Sequence, residues 1–180
     1  QADALRTLIR DGAIAADPPV HENQLQPASL DLRLGSVAYR VRASFLAGKG
    51  QSVEARLREF TMHRIDLTQG AVLEKNCVYL IPLAERLTLP AGVTAVANAK
   101  SSSGRLDLLT RTITDGGIEF DRIPEGYCGP LYAEVCPRSF SVLVRAGQRL
   151  NQIRFRQGQA VLDDAALAAL HAQEPLVSGE

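Results

Sequence analysis

What most limits the folds open to this chain is its rhythm: short alternating runs, broken again and again by turn residues. Ser29 to Leu34 alternates without a fault, with Leu30, Leu32 and Leu34 on one side and Ser29, Asp31 and Arg33 on the other. That is the pattern of a half-buried strand. Gly35 ends it, and Val37, Tyr39 and Val41 then alternate with Ala38, Arg40 and Arg42 as a second strand. From 62 onward strand-like runs recur at 62–67, 71–73, 77–81, 87–89, 93–98, 109–114, 130–136, 140–145 and 150–156. Many of the gaps hold turn signals, among them Gln69-Gly70, Lys75-Asn76 and Pro90-Ala91-Gly92. Many short strands at this spacing specify a mainly all-β sandwich or barrel.

Helical signals lie at the flanks. Leu5, Leu8 and Ile9 stand at helical spacing within Asp3 to Arg10, and Gly12 stops that helix. Residues 14–27 read as loop, with Pro18-Pro19 and Pro27. Residues 43–60 change character: Gly48-Lys49-Gly50 marks a mobile loop, Val53 to Phe60 forms one short helix, and the whole reads as an insertion. Near the end, Asp163-Asp164 caps a closing helix with Leu167 and Leu170 packed inward, so that 157–180 is a C-terminal helix and tail. A length of 180 residues suits one domain spanning 1–180 with its own core. The chain begins at Gln1 rather than Met and reads as a trimmed chain or a fragment.

Charge and composition remove several classes of function. The formal net charge is zero, so the whole molecule does not steer toward nucleic acid or an anionic membrane, although a local basic patch suffices for a small anion. No apolar run approaches the ~20 residues of a membrane span, and no secretory signal is visible. Cys77, Cys128 and Cys136 form no C-x-x-C pair, which speaks for reduced cytoplasmic thiols and against a disulfide framework or a Cys-rich zinc site. His21, His63 and His171 are scattered, and the zinc-deaminase signature is absent.

Two pieces carry chemistry. Lys100-Ser101-Ser102-Ser103-Gly104-Arg105 offers hydroxyls, backbone N–H groups and two cations within six residues, as a polyphosphate requires. The alternative is a solvent-facing serine cap with surface cations. Glu134 lies in the apolar strand 130–136, where parity puts it with Tyr132 and Cys136, opposite Leu131, Ala133 and Val135. A carboxylate there is either an acid/base group in a pocket or an edge-strand residue tied to water or Arg138. Asp121 stands upstream as a second carboxylate or a turn cap. Ser29, Asp31 and Arg33 read either as an Asp31–Arg33 pair on a sheet surface or as subunit contact or phosphate reach. Gln152, an amide inside the strand 150–156, contacts a base or sugar, or bridges backbone groups.

Taken together and in order, Gln26-Pro27-Ala28-Ser29 with Asp31-Leu32-Arg33-Leu34-Gly35, Ser101-Ser102 with Arg105, Gly126-Tyr127-x-Gly129 with Glu134, and Gly147 with Gln152 resemble the dCTP deaminases of the dUTPase-like superfamily. The resemblance covers most of 1–156 except 43–60, and is nearest to the N-terminal half of a longer bacterial form. It implies a distorted β-barrel or jelly-roll-like fold and a homotrimer or pseudo-trimeric assembly with sites between subunits. It also implies zinc-independent hydrolysis of dCTP to dUTP and ammonia. In that reading Glu134 is the general acid/base, and Ser102 and Arg105 orient water and stabilise the intermediate. Lys100 and Ser101 hold phosphates, Mg²⁺ arrives on the triphosphate, and Tyr127, Gln152 and Asp121 line the nucleotide site. Three features depart from the family: Lys100 replaces the usual Arg, the Asp121–Glu134 interval is longer, and 157–180 lacks the aromatic residue of the closing tail. Two rival readings follow, a dUTPase or bifunctional enzyme with Asp121 as base, and a non-catalytic nucleotide-binding or assembly half of a larger chain.

Overall fold

The computed structural model describes residues 2–158 and 162–175. In chain order the elements are α1 (Ala2–Arg10), β1 (Ile14–Ala16), a 3-10 turn (Glu22–Gln24), β2 (Leu30–Arg33), β3 (Val37–Val41), α2 (Val53–Phe60), β4 (Thr61–Asp66) and β5 (Ala71–Leu73). There follow β6 (Val78–Thr88), β7 (Val93–Ala99), α3 (Ser101–Arg105), β8 (Leu108–Thr114), β9 (Arg122–Ile123), β10 (Cys128–Pro137), β11 (Val142–Val144), β12 (Arg149–Gln157) and α4 (Asp164–Gln173).

All the strand pairs are antiparallel. One sheet runs β4-β3-β6-β10-β8, with β1 sharing an edge of β6 with β3; a second runs β2-β12-β7-β9; β5 and β11 form a small ribbon. The mainly all-β architecture expected from the alternation is present, but the described strands form separate sheets and no closed barrel. Inward residues of the two larger sheets make the main core. Leu30, Leu32, Ala95, Ala97 and Ile153 from one meet Ile81, Leu83, Leu87, Leu131, Ala133 and Val135 from the other. A Leu34–Leu83 bridge joins the layers. Beside it, a Cβ on Gly35 would lie 2.7 Å from the Pro82 carbonyl oxygen, so only glycine fits that approach.

Several expectations change. Runs 77–81 and 87–89 are one strand, β6. The polar residues that seem to divide them include Glu85, which is fully buried and satisfied: Oε1 accepts from Arg33 Nε and Gln24 Nε2, and Oε2 from the Arg33 N–H, each at 2.8 Å. This also replaces the expected Asp31–Arg33 pair, because Arg33 turns to Glu85. The stretch 14–27 is not all loop, since Ile14–Ala16 pairs with β6. The helix capped by Asp163 forms, but Leu167 and Leu170 do not pack inward. Every described side chain of α4 is exposed, because no apolar surface among the described residues lies against it.

The 43–60 stretch builds a second core on the outer face of the large sheet. Phe45, Ala47, Val53 and Leu57 pack on Leu80, Ile113 and Tyr132. Its glycine-marked loop is tied rather than loose. Gly48 N–H donates to Gly117 O at 2.9 Å, Gly116 N–H to Gln51 O at 2.8 Å, and Val53 N–H to Asp115 Oδ1 at 2.7 Å.

Candidate active site

Glu134 sits mid-way along β10, directly opposite Arg111 of β8. Strand alternation sends Leu131, Ala133 and Val135 into the main core, so Glu134 and Tyr132 face the 43–60 layer. Glu134 is 3 % exposed. A carboxylate so placed needs a partner, and the partner is Arg111, not Arg138. Arg111 Nε and Nη2 both donate to Oε1, at 3.1 and 2.5 Å. No described residue donates to Oε2, and that oxygen is not sealed from solvent. The Arg111 guanidinium also stacks 3.7 Å from the Phe120 ring centroid and donates to Ser44 Oγ at 3.2 Å.

Asp121 joins this cluster through the backbone of β8. Its Oδ1 accepts the Thr112 N–H at 2.7 Å, its own N–H donates to Thr112 O at 2.9 Å, and its carbonyl accepts from Ala97 N–H of β7 at 2.9 Å. It holds a left-handed φ of 62°, a strained choice for a non-glycine residue that these three bonds fix. Burial pushes its carboxyl above the usual aspartate range, the Thr112 N–H and Arg111 pull the other way, and Glu134 adds to the rise. The two carboxylates thus share one neighbourhood with unlike surroundings.

The remaining candidates lie elsewhere in the chain. Ser101, Ser102 and Arg105 are exposed on α3, whereas Ser103 is buried and donates to Leu150 O at 3.0 Å. Helix α3 packs on β8 and β12, and none of the hydrogen bonds or ion pairs of Glu134 involves Ser102 or Arg105. Lys100 is half-buried, with Nζ on the carboxylate of Asp31, which is 2 % exposed and has Arg149 Nη1 at 4.0 Å as well. Asp31 Oδ1 is buried without a donor. Gln152 stands in register with Asp31 and accepts from Ser29 Oγ at 3.1 Å. Tyr127 spends its hydroxyl within the chain, donating to Pro130 O at 2.6 Å and accepting from Asp115 N–H at 3.2 Å. It therefore locks the turn into β10, and a Cβ on Gly129 would meet that hydroxyl at 2.6 Å.

Within one chain, then, Glu134 and Asp121 come together, as do Lys100, Asp31 and Gln152, while neither Ser102 nor Arg105 bonds to the acid. Sequence reasoning misses Arg111, Ser44 and Phe120. The available signal for Arg111 is its parity with Ile113, a cation on an otherwise apolar strand face; its pairing with Glu134 depends on strand register, which no local pattern shows. Among the described residues no three His, Cys, Asp or Glu side chains gather as a metal-binding group.

A family model of the 2'-deoxycytidine 5'-triphosphate deaminase N-terminal domain matches residues 1–159. The chain belongs to the dCTP deaminase family. It is similar to a protein of Coprothermobacter proteolyticus named dCTP deaminase, dUMP-forming, 29% identical over 158 residues that cover 84% of this chain and 77% of the relative. It is similar also to the dCTP deaminase of Idiomarina loihiensis, 26% identical over 158 residues, 83% of this chain and 77% of that protein. Among solved structures, the dCTP deaminase of Agrobacterium tumefaciens superposes with a TM-score of 0.86 at 53% identity, over 97% of this chain. The chain spans 53% of that deaminase's length.

Proposed function

We propose that this domain catalyses hydrolytic deamination of dCTP to dUTP and ammonia, with Glu134 as general acid/base. The observation that carries the reading is the Oε2 of Glu134, an oxygen without a donor on a buried, strand-held carboxylate in a dCTP deaminase domain. Glu134 takes a proton from water, the water oxygen bonds to C4, and the proton passes to the pyrimidine. The C4 hydroxyl then gives its proton, by way of Glu134, to the amino group; the C4–N bond breaks as the C4 carbonyl forms and ammonia leaves, so that dCTP and one water give dUTP and ammonia. Ser102 and Arg105 orient the water and stabilise the charge that develops on the ring. Neither bonds to Glu134 within one chain, which fits a homotrimer or pseudo-trimer in which a neighbour supplies them. Lys100 and Ser101 hold phosphates; Nζ of Lys100 keeps hydrogens for an anion beyond the one given to Asp31. Mg²⁺ enters with the triphosphate. Gln152 contacts the nucleotide, and Tyr127 supports the site by fixing the turn.

The test incubates the protein with dCTP and Mg²⁺ and resolves dCTP, dUTP and dUMP, with ammonia assayed in parallel. Ammonia release is expected, and Glu134→Gln lowers it by about 10²–10⁴-fold, the usual worth of a general acid/base. Full release by Glu134→Gln would remove the reading. Appearance of dUMP with pyrophosphate would assign Asp121 a hydrolytic part as well.

A further inference from the structure

The Arg111–Glu134 pair is braced by two further groups, Phe120 and Ser44, and this suggests a task for Arg111. Both of its donors fall on one carboxylate oxygen, Oε1, at 3.1 and 2.5 Å. A guanidinium spread across both oxygens would occupy a lone pair on each; two bonds to a single oxygen leave Oε2 without any protein donor. The guanidinium is itself held flat by Phe120, 3.7 Å from the ring centroid, and pinned at Nη2 by Ser44 at 3.2 Å. The supports come from separate elements: Arg111 from β8, Phe120 from the turn before Asp121, and Ser44 from the layer over the large sheet.

We propose that Arg111 is a positioning residue, which aims Oε2 of Glu134 at the reacting water and is itself aimed by Phe120 and Ser44. The inference rests on the deaminase reading of Glu134 and adds how that acid is held. A planar fork stacked on a ring does what an ammonium cannot, so charge alone is not enough. The effect belongs in kcat, because a misaimed base spoils the reacting geometry while nucleotide binding by other groups persists.

The decisive set is Arg111→Lys, Arg111→Met, Phe120→Leu and Ser44→Ala, assayed with dCTP and Mg²⁺ beside the wild-type protein and Glu134→Gln, with a thermal melt of each. Arg111→Lys keeps a cation beside the buried acid, so it guards against the unfolding that Arg111→Met can cause. Expected is a kcat lowered by roughly 10-fold or more in Arg111→Lys and toward 10²-fold in Arg111→Met, with KM within about threefold of wild type. Phe120→Leu and Ser44→Ala lower kcat by several-fold, also with little change in KM. If Arg111→Lys keeps wild-type kcat, or if its loss lies in KM, the inference is overturned while an inactive Glu134→Gln leaves the deaminase reading standing. If Glu134→Gln turns over normally, or the wild-type protein releases no ammonia, the deaminase reading itself falls and takes this inference with it.

Discussion

At the scale of single residues, the candidate site sets two carboxylates in different company. Glu134 is given a guanidinium; Asp121 is given a backbone N–H, a left-handed φ and partial burial. The folded-state carboxyl of Asp121 lies above its ordinary value, mainly through burial. The folded chain therefore holds this proton more tightly than the unfolded chain does. It follows that the group's contribution to stability is greatest at low pH and declines as pH rises from the ordinary aspartate value near 3.9 until the folded-state group has ionised. Asp121→Asn removes that titration while its amide oxygen still accepts the Thr112 N–H. Thermal melts over a pH series should show the wild-type protein losing ground to Asp121→Asn as pH rises from about 4 upward; an opposite trend refutes the assignment. Asp121 was legible in the sequence as a second carboxylate, and Glu134 as an acid on an apolar strand. Arg111 was not, because its importance lies in facing, across two paired strands, a Glu134 that is 23 residues away in the chain.

At the scale of elements, local alternation revealed most strands because each sends alternate residues into the main core, even where, as in β2 and β10, the other face is buried as well rather than half-exposed. It failed where polar residues break an apolar run or the strand is very short. Strand β6 looked divided because Glu85 and Arg86 interrupt its apolar run, yet Glu85 is buried with its charge fully bonded. The pieces β1 and β9 are too short to show a period. Helices α2 and α4 were both visible in the sequence, α4 from its cap Asp163, and the structure adds Ser52 as the cap of α2, but capping says nothing about packing. Helix α2 buries Val53 and Leu57, whereas α4 leaves Leu167 at 44% exposure. One substitution in two places measures the difference. Leu57→Ala should cost about 2–4 kcal/mol, from lost burial and the cavity left behind. Leu167→Ala should stay within about 0.5 kcal/mol. Urea denaturation of both proteins decides, and equal costs would mean that the 43–60 layer does not form the core described above.

At the scale of the whole molecule, the question is where the acid meets the serine-rich turn. Glu134 faces the 43–60 layer from the large sheet; Ser102 and Arg105 stand on α3, which packs on β8 and β12. The proposed symmetric assembly supplies one answer: if each site takes Glu134 from one subunit and Ser102 with Arg105 from the next, a heterologous closed ring would place every pair alike. This arrangement has a numerical consequence. Glu134→Gln and Ser102→Ala proteins are each defective alone, since every site in either assembly lacks one group. When the two are unfolded, mixed in equal amounts and refolded together, a site works only if its acid comes from a Ser102→Ala subunit and its serine from a Glu134→Gln subunit. Each choice has even odds, so roughly one quarter of the sites should regain wild-type turnover. A site made within one subunit gives no such recovery, because every chain then carries its own defect into its own site. Ammonia release from the mixture, set against the two parents refolded separately and the sedimentation behaviour of all three, separates the cases. Activity no higher than the parents' mean in a fully assembled mixture would return both halves of the chemistry to a single chain.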